Sequence, residues 1–276
     1  MTAECRNDFE MERQSVSSDI DEQLKNLEVQ RKLALDEFVF RASVPLFRRI
    51  NGDKADHLGT GTFVHVKGRL ILLTARHNLD ACRADEIAIT RRPEGSELLT
   101  IGSFTTYKPI DTPGTTIDIV GIGLDDAGTR RHVENGWRVI EPSTGAQFVP
   151  GEALLVGYPS ESLRTDGMNF WGRPTGIWTA GPTPVPQAAK EPIDPVLDLF
   201  LAHSARAIGP SGDEERMPRV DGMSGCAVWQ SIETPESEVW SPDRAYRLVG
   251  IQSAATHGVA LRVKTWPYID ALFRQV

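Results

Sequence analysis

The chain has 276 residues, of which 40% are hydrophobic and 25% charged, and its formal net charge is −8 at pH 7. These proportions are typical of a soluble globular protein with one large or two small domains. The acidic balance disfavours a nucleic-acid partner, because contacts to phosphates need a basic face. No stretch approaches the roughly 18 consecutive apolar residues of a membrane span, so we expect no membrane insertion.

The three cysteines, Cys5, Cys82 and Cys226, are too few and too scattered to form a disulfide framework. The first residues lack the basic and then apolar pattern of a secretory signal. Both observations predict a cytoplasmic protein. No histidines have the spacing of metal ligands, so we expect no metal ion and no other cofactor.

Residues 1–50 are predicted to form an N-terminal helical extension. A helix is expected from about Ser18, a capping residue followed by acids, to Arg41. Its apolar residues partly follow helical spacing: Ile20, Leu24, Leu27, Leu35 and Phe38. Packing against the body is the preferred interpretation, and a docking arm for a protein partner is the alternative.

Residues 51–276 contain short strands separated by turns, which predicts one all-β domain. Short strands at such spacing are typical of a barrel or a sandwich, first over about 55–125 and again over about 148–264. The charged, turn-rich residues between these two regions are interpreted as a connection, and residues 170–180 are predicted to form a pair of strands. Residues 265–276 have apolar side chains at helical spacing, which predicts a C-terminal helix.

Ser224 lies between Gly222 and Gly225, just before an apolar run that ends at Trp229. Glycines allow a tight turn whose N–H groups point to one side and bind an anion. A nucleophilic serine beside an oxyanion hole needs this arrangement. The alternative is an ordinary glycine turn leading into a buried strand, so the interpretation depends on partners elsewhere.

Two partners precede this serine in the chain. The apolar strand Leu70–Leu73 leads into His77, and Asp118 interrupts an apolar strand, where an unpaired charge would be costly. His77 suits proton exchange near neutral pH, and Asp118 would fix its tautomer. Other candidates fit less well: His57 and His65 as bases, Asp125 and Asp126 as acids.

These motifs resemble the trypsin-like, or chymotrypsin-fold, serine peptidases. The order histidine, aspartate, serine is the one seen in chymotrypsin-like enzymes. Six stretches match in order over about residues 55–275: Gly59–Val64, Leu73–His77, Asp118–Ile122, Gly222–Gly225, Leu248–Ser253 and Gly258–Val263. The resemblance implies two antiparallel β-barrels of the chymotrypsin/trypsin type, with the predicted helices at the two ends of the chain. Secreted members usually carry a cysteine directly after the histidine, where this chain has Asn78.

The resemblance further implies a serine endopeptidase that cleaves a polypeptide substrate through an acyl-enzyme. His77, Asp118 and Ser224 would be catalytic, and the N–H groups of Gly222 and Ser224 would form the oxyanion hole. Substrate would bind along Ser253, Ala254, Ala255 and Gly258, and Ser253 would also support Asp118. Two alternatives remain, a catalytically silent protease-fold module that binds a protein partner, and an esterase with the same acyl chemistry.

The implied specificity pocket has no charged residue in its walls, with a base near Pro218, which predicts a neutral pocket. His257 offers an alternative, since it could bind an acidic side chain. Met223 occupies the position where secreted members carry the acid that pairs with a new N-terminal amine. We therefore expect the Gly222–Ser224 loop to be held by local packing or by a partner, without cleavage of the N-terminal segment.

Overall fold

A computed structural model describes residues 3–51, 54–80, 82–93, 95, 97–109, 117–167, 169–190, 192–204, 206–208, 214–232 and 239–276. The side chains of residues 3–21, 84, 206–208 and 214–215 lie outside this description. Four α-helices are present in the described chain: α1 (Ala3–Arg41), α2 (Ala127–Gly136), α3 (Pro242–Ala245) and α4 (Trp266–Phe273). None of these helices is long and apolar enough to cross a membrane.

The first half of the chain forms a curled antiparallel sheet with the order β5-β4-β1-β2-β3-β7-β6. Its strands are β1 (Ser43–Asn51), β2 (Lys54–Val66), β3 (Arg69–Thr74), β4 (Ile87–Thr90), β5 (Leu98–Thr100), β6 (Phe104–Tyr107) and β7 (Val120–Leu124). The predicted division between residues 50 and 51 falls at the end of β1. The first sheet therefore begins at Ser43, which pairs with Thr62 of β2.

The second half forms a second curled antiparallel sheet with the order β11-β8-β15-β16-β17-β12 and two separate two-stranded ribbons, β9-β10 and β13-β14. The strands are β8 (Ala153–Gly157), β9 (Arg164–Asp166), β10 (Asn169–Trp171), β11 (Thr175–Thr179), β12 (Asp198–Ala202), β13 (Arg206–Ile208), β14 (Glu214–Arg216), β15 (Ala227–Ser231), β16 (Tyr246–Thr256) and β17 (Ala260–Thr265). The expected all-β fold of two chymotrypsin-type barrels, with a helix at each end of the chain, is confirmed.

The continuous apolar run of β3 is explained by burial on both faces. Leu70 and Leu72 point into the core of the first sheet. Ile71 and Leu73, on the opposite face, join a core that both sheets share. Because side chains alternate along a strand, a strand with two buried faces has no polar positions. This strand ends three residues before His77, so the burial of the strand determines the position of the His77 backbone.

The C-terminal part of α1 belongs to the shared core. Phe38 and Val39 are buried, and the ring of Phe38 contacts that of Trp229 on β15 edge to face at 5.7 Å. The hydroxyl of Ser43 donates to the carbonyl of Val156 on β8, at 2.8 Å. Helix and first strand together therefore tie one sheet to the other.

Three expectations about local structure are corrected. Helix α1 ends at Arg41 as predicted but begins at Ala3, so Ser18 lies inside it and does not start it. The predicted connection between the barrels contains α2, which Asp126 caps by accepting from the Thr129 N–H at 2.7 Å and which buries Val133. The strands of residues 170–180 do not pair with each other, since β10 pairs with β9 and β11 with β8.

Candidate active site

The three residues of the predicted triad line one cavity of about 450 Å³ between the two sheets. His77 lies in a 3₁₀ turn, Arg76–Leu79, directly after β3. Asp118 lies two residues before β7, and Ser224 lies in the turn that leads into β15. Each side chain thus sits at the end of a buried strand, where the backbone is fixed and the side chain reaches the cavity.

His77 and Asp118 form a bidentate contact. The Nδ1 atom of His77 lies 2.7 Å from one carboxylate oxygen, and the backbone N–H of His77 donates to the other at 3.0 Å. The hydrogen bond with Asp118 raises the pKa of His77 above its ordinary value of 6.5, although burial opposes this. Burial also opposes the charge of Asp118, but the hydrogen bonds from His77 outweigh it and lower the pKa of Asp118. The pair therefore stabilises an imidazolium beside a carboxylate.

Ser224 lines the same cavity but is not hydrogen-bonded to His77. Among the described residues, no hydrogen bond links its hydroxyl to the His77 ring. Contacts between a nucleophile and its base are often long in proteins without substrate and tighten on binding. The arrangement brings the two groups to one cavity and leaves the space beside Ser224 accessible.

The loop around Ser224 presents two free donors. Gly222 has φ +88° and Gly225 has φ +91°, values that favour glycine. The N–H groups of Met223 and Gly225 donate to the carbonyls of Val220 and Gln252 at 3.0 and 2.7 Å. Within the described chain the N–H groups of Gly222 and Ser224 donate to no protein acceptor. Two free N–H groups at a tight turn can bind a negative charge.

The first sheet holds this loop through the carbonyl of Ser224. The carbonyl accepts from the backbone N–H of Thr60 at 2.9 Å and from the side-chain amide of buried Asn78 at 2.8 Å. The Thr60 hydroxyl donates to the carbonyl of Gly222 at 3.0 Å. A Cβ at Gly225 would collide with the Thr60 carbonyl and the Thr74 hydroxyl, so only glycine permits this approach.

The second support of the loop comes from the turn after β8. The Ser160 N–H donates to the carbonyl of Asp221 at 2.7 Å, and the Ser160 hydroxyl lies 3.0 Å from Nδ1 of His57. Burial lowers the pKa of His57 to about 4, so this ring is neutral at pH 7. Met223 is only 1% exposed. Among the described residues, the loop is therefore held by local packing.

The rival bases occupy other positions. His57 packs against Phe47 and Ser160. His65 lies 3.5 Å from Glu134 and 3.4 Å from Glu141, on the surface. Neither histidine lines the cavity of Ser224.

The predicted substrate residues are only partly at the cavity. Ser253, Ala254 and Ala255 line it, whereas Gly258 does not and its neighbour His257 does. The hydroxyl of Ser253 donates to the carbonyl of Arg262 at 3.5 Å rather than to Asp118. Pro218 is likewise outside the lining.

The expected neutral pocket is wrong, because the cavity beside Ser224 has charged walls. Its lining includes Lys190, Arg219 and Arg262. The neutral prediction considered only the strands on either side of the pocket, whereas these cations come from the loop before β12, the loop before Ser224 and the interior of β17.

Sequence reasoning also missed a buried ionic cluster behind the cavity. The carboxylate of Asp198, on β12, lies 2.5 Å from Arg262 and 2.5 Å from Lys264, both on β17. The pKa of Asp198 is lowered by both cations, against its burial, and burial lowers the pKa of Lys264. Two cations at alternate positions of β17, Arg262 and Lys264, were the available signal, because a buried charge requires a partner.

The positive charge of Lys264 also helps to lower the pKa of Asp118. Lys264 lines a second cavity together with His77 and Asp118. The cluster therefore supports the ionised state of the carboxylate that contacts His77. Across the described residues, no group of three histidine, cysteine or acidic side chains is arranged to hold a metal ion.

Replacing Asp118 by asparagine is expected to lower the pKa of His77, because the hydrogen bond that raises it is lost while burial remains. An NMR titration of the His77 ring measures this. Folding raises the pKa of His77, so protonated His77 stabilises the folded chain. This contribution to the free energy of unfolding is complete below pH 6.5 and is lost as the pH rises through the pKa of His77 in the folded chain. This pH dependence should disappear in Asp118→Asn. Asp80→Asn is the control, since Asp80 acts on His77 by charge alone and should cause a smaller shift. An unchanged His77 pKa in Asp118→Asn would contradict this account.

Replacing Asn78 by alanine is expected to lower the free energy of unfolding by about 1–3 kcal/mol, because a buried carbonyl loses a donor. Urea denaturation measures this change. Asn135→Ala, at an exposed position of α2, is the control and should stay within about 0.5 kcal/mol. Equal stability of Asn78→Ala and the parent chain would show that the Ser224 loop does not depend on this contact.

No family model matches this sequence, and no curated protein matches it. Several solved structures are similar over most of the chain. The inactive form of Rv3671c from M. tuberculosis is 13% identical, with 87% of this chain and 90% of that chain covered and a TM-score of 0.45. The active form of the Rv3671c protease is 12% identical, with 90% and 86% covered and a TM-score of 0.42. An inactivated protease paralogue of the scabies mite is 12% identical, with 87% and 96% covered and a TM-score of 0.46. At these identities and TM-scores the likenesses carry no argument about activity.

Proposed function

We propose that the protein is a trypsin-like serine endopeptidase. The observation that carries this proposal is the cavity that His77, Asp118 and Ser224 line together. His77 is hydrogen-bonded to Asp118 at 2.7 Å, and the free N–H groups of Gly222 and Ser224 lie in the same loop as the serine. The six ordered motifs of the sequence support the same function. In this proposal His77 is the base, Asp118 orients it and Ser224 is the nucleophile, and the two N–H groups form the anion site.

In the proposed reaction His77 removes the proton of the Ser224 hydroxyl as its oxygen attacks the carbonyl carbon of a peptide bond. Asp118 keeps the other ring nitrogen protonated and stabilises the imidazolium that forms. The N–H groups of Gly222 and Ser224 bind the oxyanion. His77 then gives its proton to the leaving amine, and the C–N bond breaks. Water, activated by His77, hydrolyses the acyl-enzyme and restores the serine.

Ser224→Ala and His77→Ala are expected to lower kcat for a peptide substrate by about 10⁶-fold, and Asp118→Asn by about 10⁴-fold, because triad members act as a unit. Ser231→Ala, at the exposed end of β15, is the matched control and should retain activity. Assays with a quenched fluorescent peptide library measure the rates. A fluorophosphonate probe, which reacts with activated serines, should label the parent and not Ser224→Ala.

The alternatives give different results in the same assays. An esterase would hydrolyse ester substrates and leave peptides intact. A catalytically silent module would not react with the fluorophosphonate probe and would cleave neither esters nor peptides. Undiminished peptide cleavage by Ser224→Ala would refute the mechanism.

We also propose that the exposed part of α1 is a docking arm for a protein partner and not an inhibitory propeptide. Four apolar side chains are each about half exposed there, whereas Phe38 and Val39 are buried: Leu24, Leu27, Val29 and Leu33. The protein is proposed to be cytoplasmic, in keeping with the free cysteines Cys82 and Cys226.

A chain that starts at Lys32 is expected to cleave a small peptide with the same kcat/KM as the full chain, since the truncation keeps the packed end of α1. Steady-state kinetics on one substrate measure kcat/KM for the full chain and for the truncated chain. A control chain that starts at Ala42 also lacks Phe38 and Val39 and should unfold at a lower urea concentration. A silent full chain beside an active truncated chain would identify the segment as an inhibitory propeptide.

A further inference from the structure

The cavity beside Ser224 carries more positive than negative groups, in a chain whose net charge is −8. Three side chains with permanent positive charge line it, Lys190, Arg219 and Arg262, and two carboxylates, Asp118 and Asp221. A cleft lined mainly by one sign of charge attracts ligands of the opposite sign. The composition of this lining therefore stands out from the acidic surface of the chain.

Both carboxylates of the lining are already paired. Asp118 contacts His77 at 2.7 Å, and Asp221 contacts Nε of Arg219 at 2.8 Å. A lysine or arginine side chain entering the cavity would have to displace one of these partners. It would also approach the remaining cations. The cavity is therefore unsuited to a basic side chain.

The positive groups are not fully compensated. Arg262 shares the Asp198 carboxylate with buried Lys264, whose charge also acts on Asp118. The Lys190 ammonium has no ion pair or hydrogen bond to any residue described by the structure. Among the described residues, Lys190 is therefore a cation at the cavity wall without an acidic partner.

A histidine adds a further donor at the wall. His257 lines the cavity and is exposed, and its ring contacts that of His203 at 5.4 Å, nearly edge to face. His203 is 4% exposed, which gives His257 a rigid backing. A ring N–H of His257 can donate to a carboxylate from this position.

Gln252 supplies a polar group beside these cations. It lines the cavity, is only 1% exposed, and its Oε1 atom has no hydrogen-bond partner in the described part of the chain. This oxygen is an acceptor and therefore does not itself bind a carboxylate. The Nε2 group of the same amide makes no hydrogen bond to a described residue, so it is the donor that Gln252 can offer to a carboxylate.

We infer that this cavity binds an acidic side chain, glutamate or aspartate, of the residue whose carbonyl Ser224 attacks. Lys190, His257 and Gln252 are the groups free to donate to its carboxylate. The inference rests on the proposed function, because it uses the position of Ser224 to define which substrate residue enters. It replaces the neutral pocket expected from the sequence.

The first test compares three peptides that differ only at this residue, which is glutamate, glutamine or lysine. The glutamate peptide is expected to have a kcat/KM about tenfold above that of the glutamine peptide, because hydrogen bonds to a charged group are stronger. The lysine peptide is expected to be the slowest. Lys190→Gln and His257→Ala should each lower the ratio of glutamate to glutamine. Arg131→Gln, on α2 outside the cavity, is the control and should leave the ratio unchanged.

The second test measures binding without turnover. Calorimetry with the Ser224→Ala chain compares peptide amides that end in glutamate or glutamine, and the glutamate peptide should bind about tenfold more tightly. Equal affinity, or equal cleavage of the glutamate and glutamine peptides, overturns the inference even if the protein is a peptidase. If no peptide is cleaved but the glutamate amide still binds more tightly, the inference stands as a binding specificity and the proposed catalysis fails. Faster cleavage of the lysine peptide than of the glutamate peptide overturns the inferred preference for an acidic side chain.

Discussion

The carbonyl of Ser224 is the point on which the site depends. It belongs to the second sheet but is bound by two donors of the first, the backbone N–H of Thr60 and the side-chain amide of Asn78. Gly225 allows the two backbones to approach this closely. Because both hydrogen bonds are fixed by β2 and by the turn after β3, the position of Ser224 is set relative to His77. One interaction across the interface thus assembles groups that the chain supplies separately.

This arrangement requires that the two sheets cannot move apart. The shared core provides that constraint, since Ile71 and Leu73 on β3 pack with Trp229 on β15 and with Phe38 on α1. Dense packing transmits small displacements, so a change in this core would alter the distance between His77 and Ser224. The end of α1 is therefore part of the structure that positions the site, while its exposed part is not.

Electrostatics divide the site into two regions. On one side, Asp118 is kept ionised by hydrogen bonds from His77, with a contribution from the buried charge of Lys264. On the other, Lys190 and the histidine at the wall face open space. The buried Asp198 links the regions, because it holds Arg262 at the cavity and Lys264 behind Asp118. In the described part of the chain, this one carboxylate is shared by the two cations.

Local patterns in the sequence predicted an all-β domain, the helices at the ends of the chain, the histidine at the exit of an apolar strand and the glycine turn around Ser224. The division into two chymotrypsin-type barrels followed from the resemblance of six ordered motifs. Asp118 was expected within an apolar strand, whereas it lies two residues before β7. The contact of Asn78 with Ser224, the cations of the cavity and the helix α2 were decided by the tertiary structure. Asn78 and Ser224 are far apart in the chain, and Lys190 and Arg262 reach the cavity from separate elements, so no local pattern reports their approach. Charges interact through space, and only the folded chain determines which of them become neighbours.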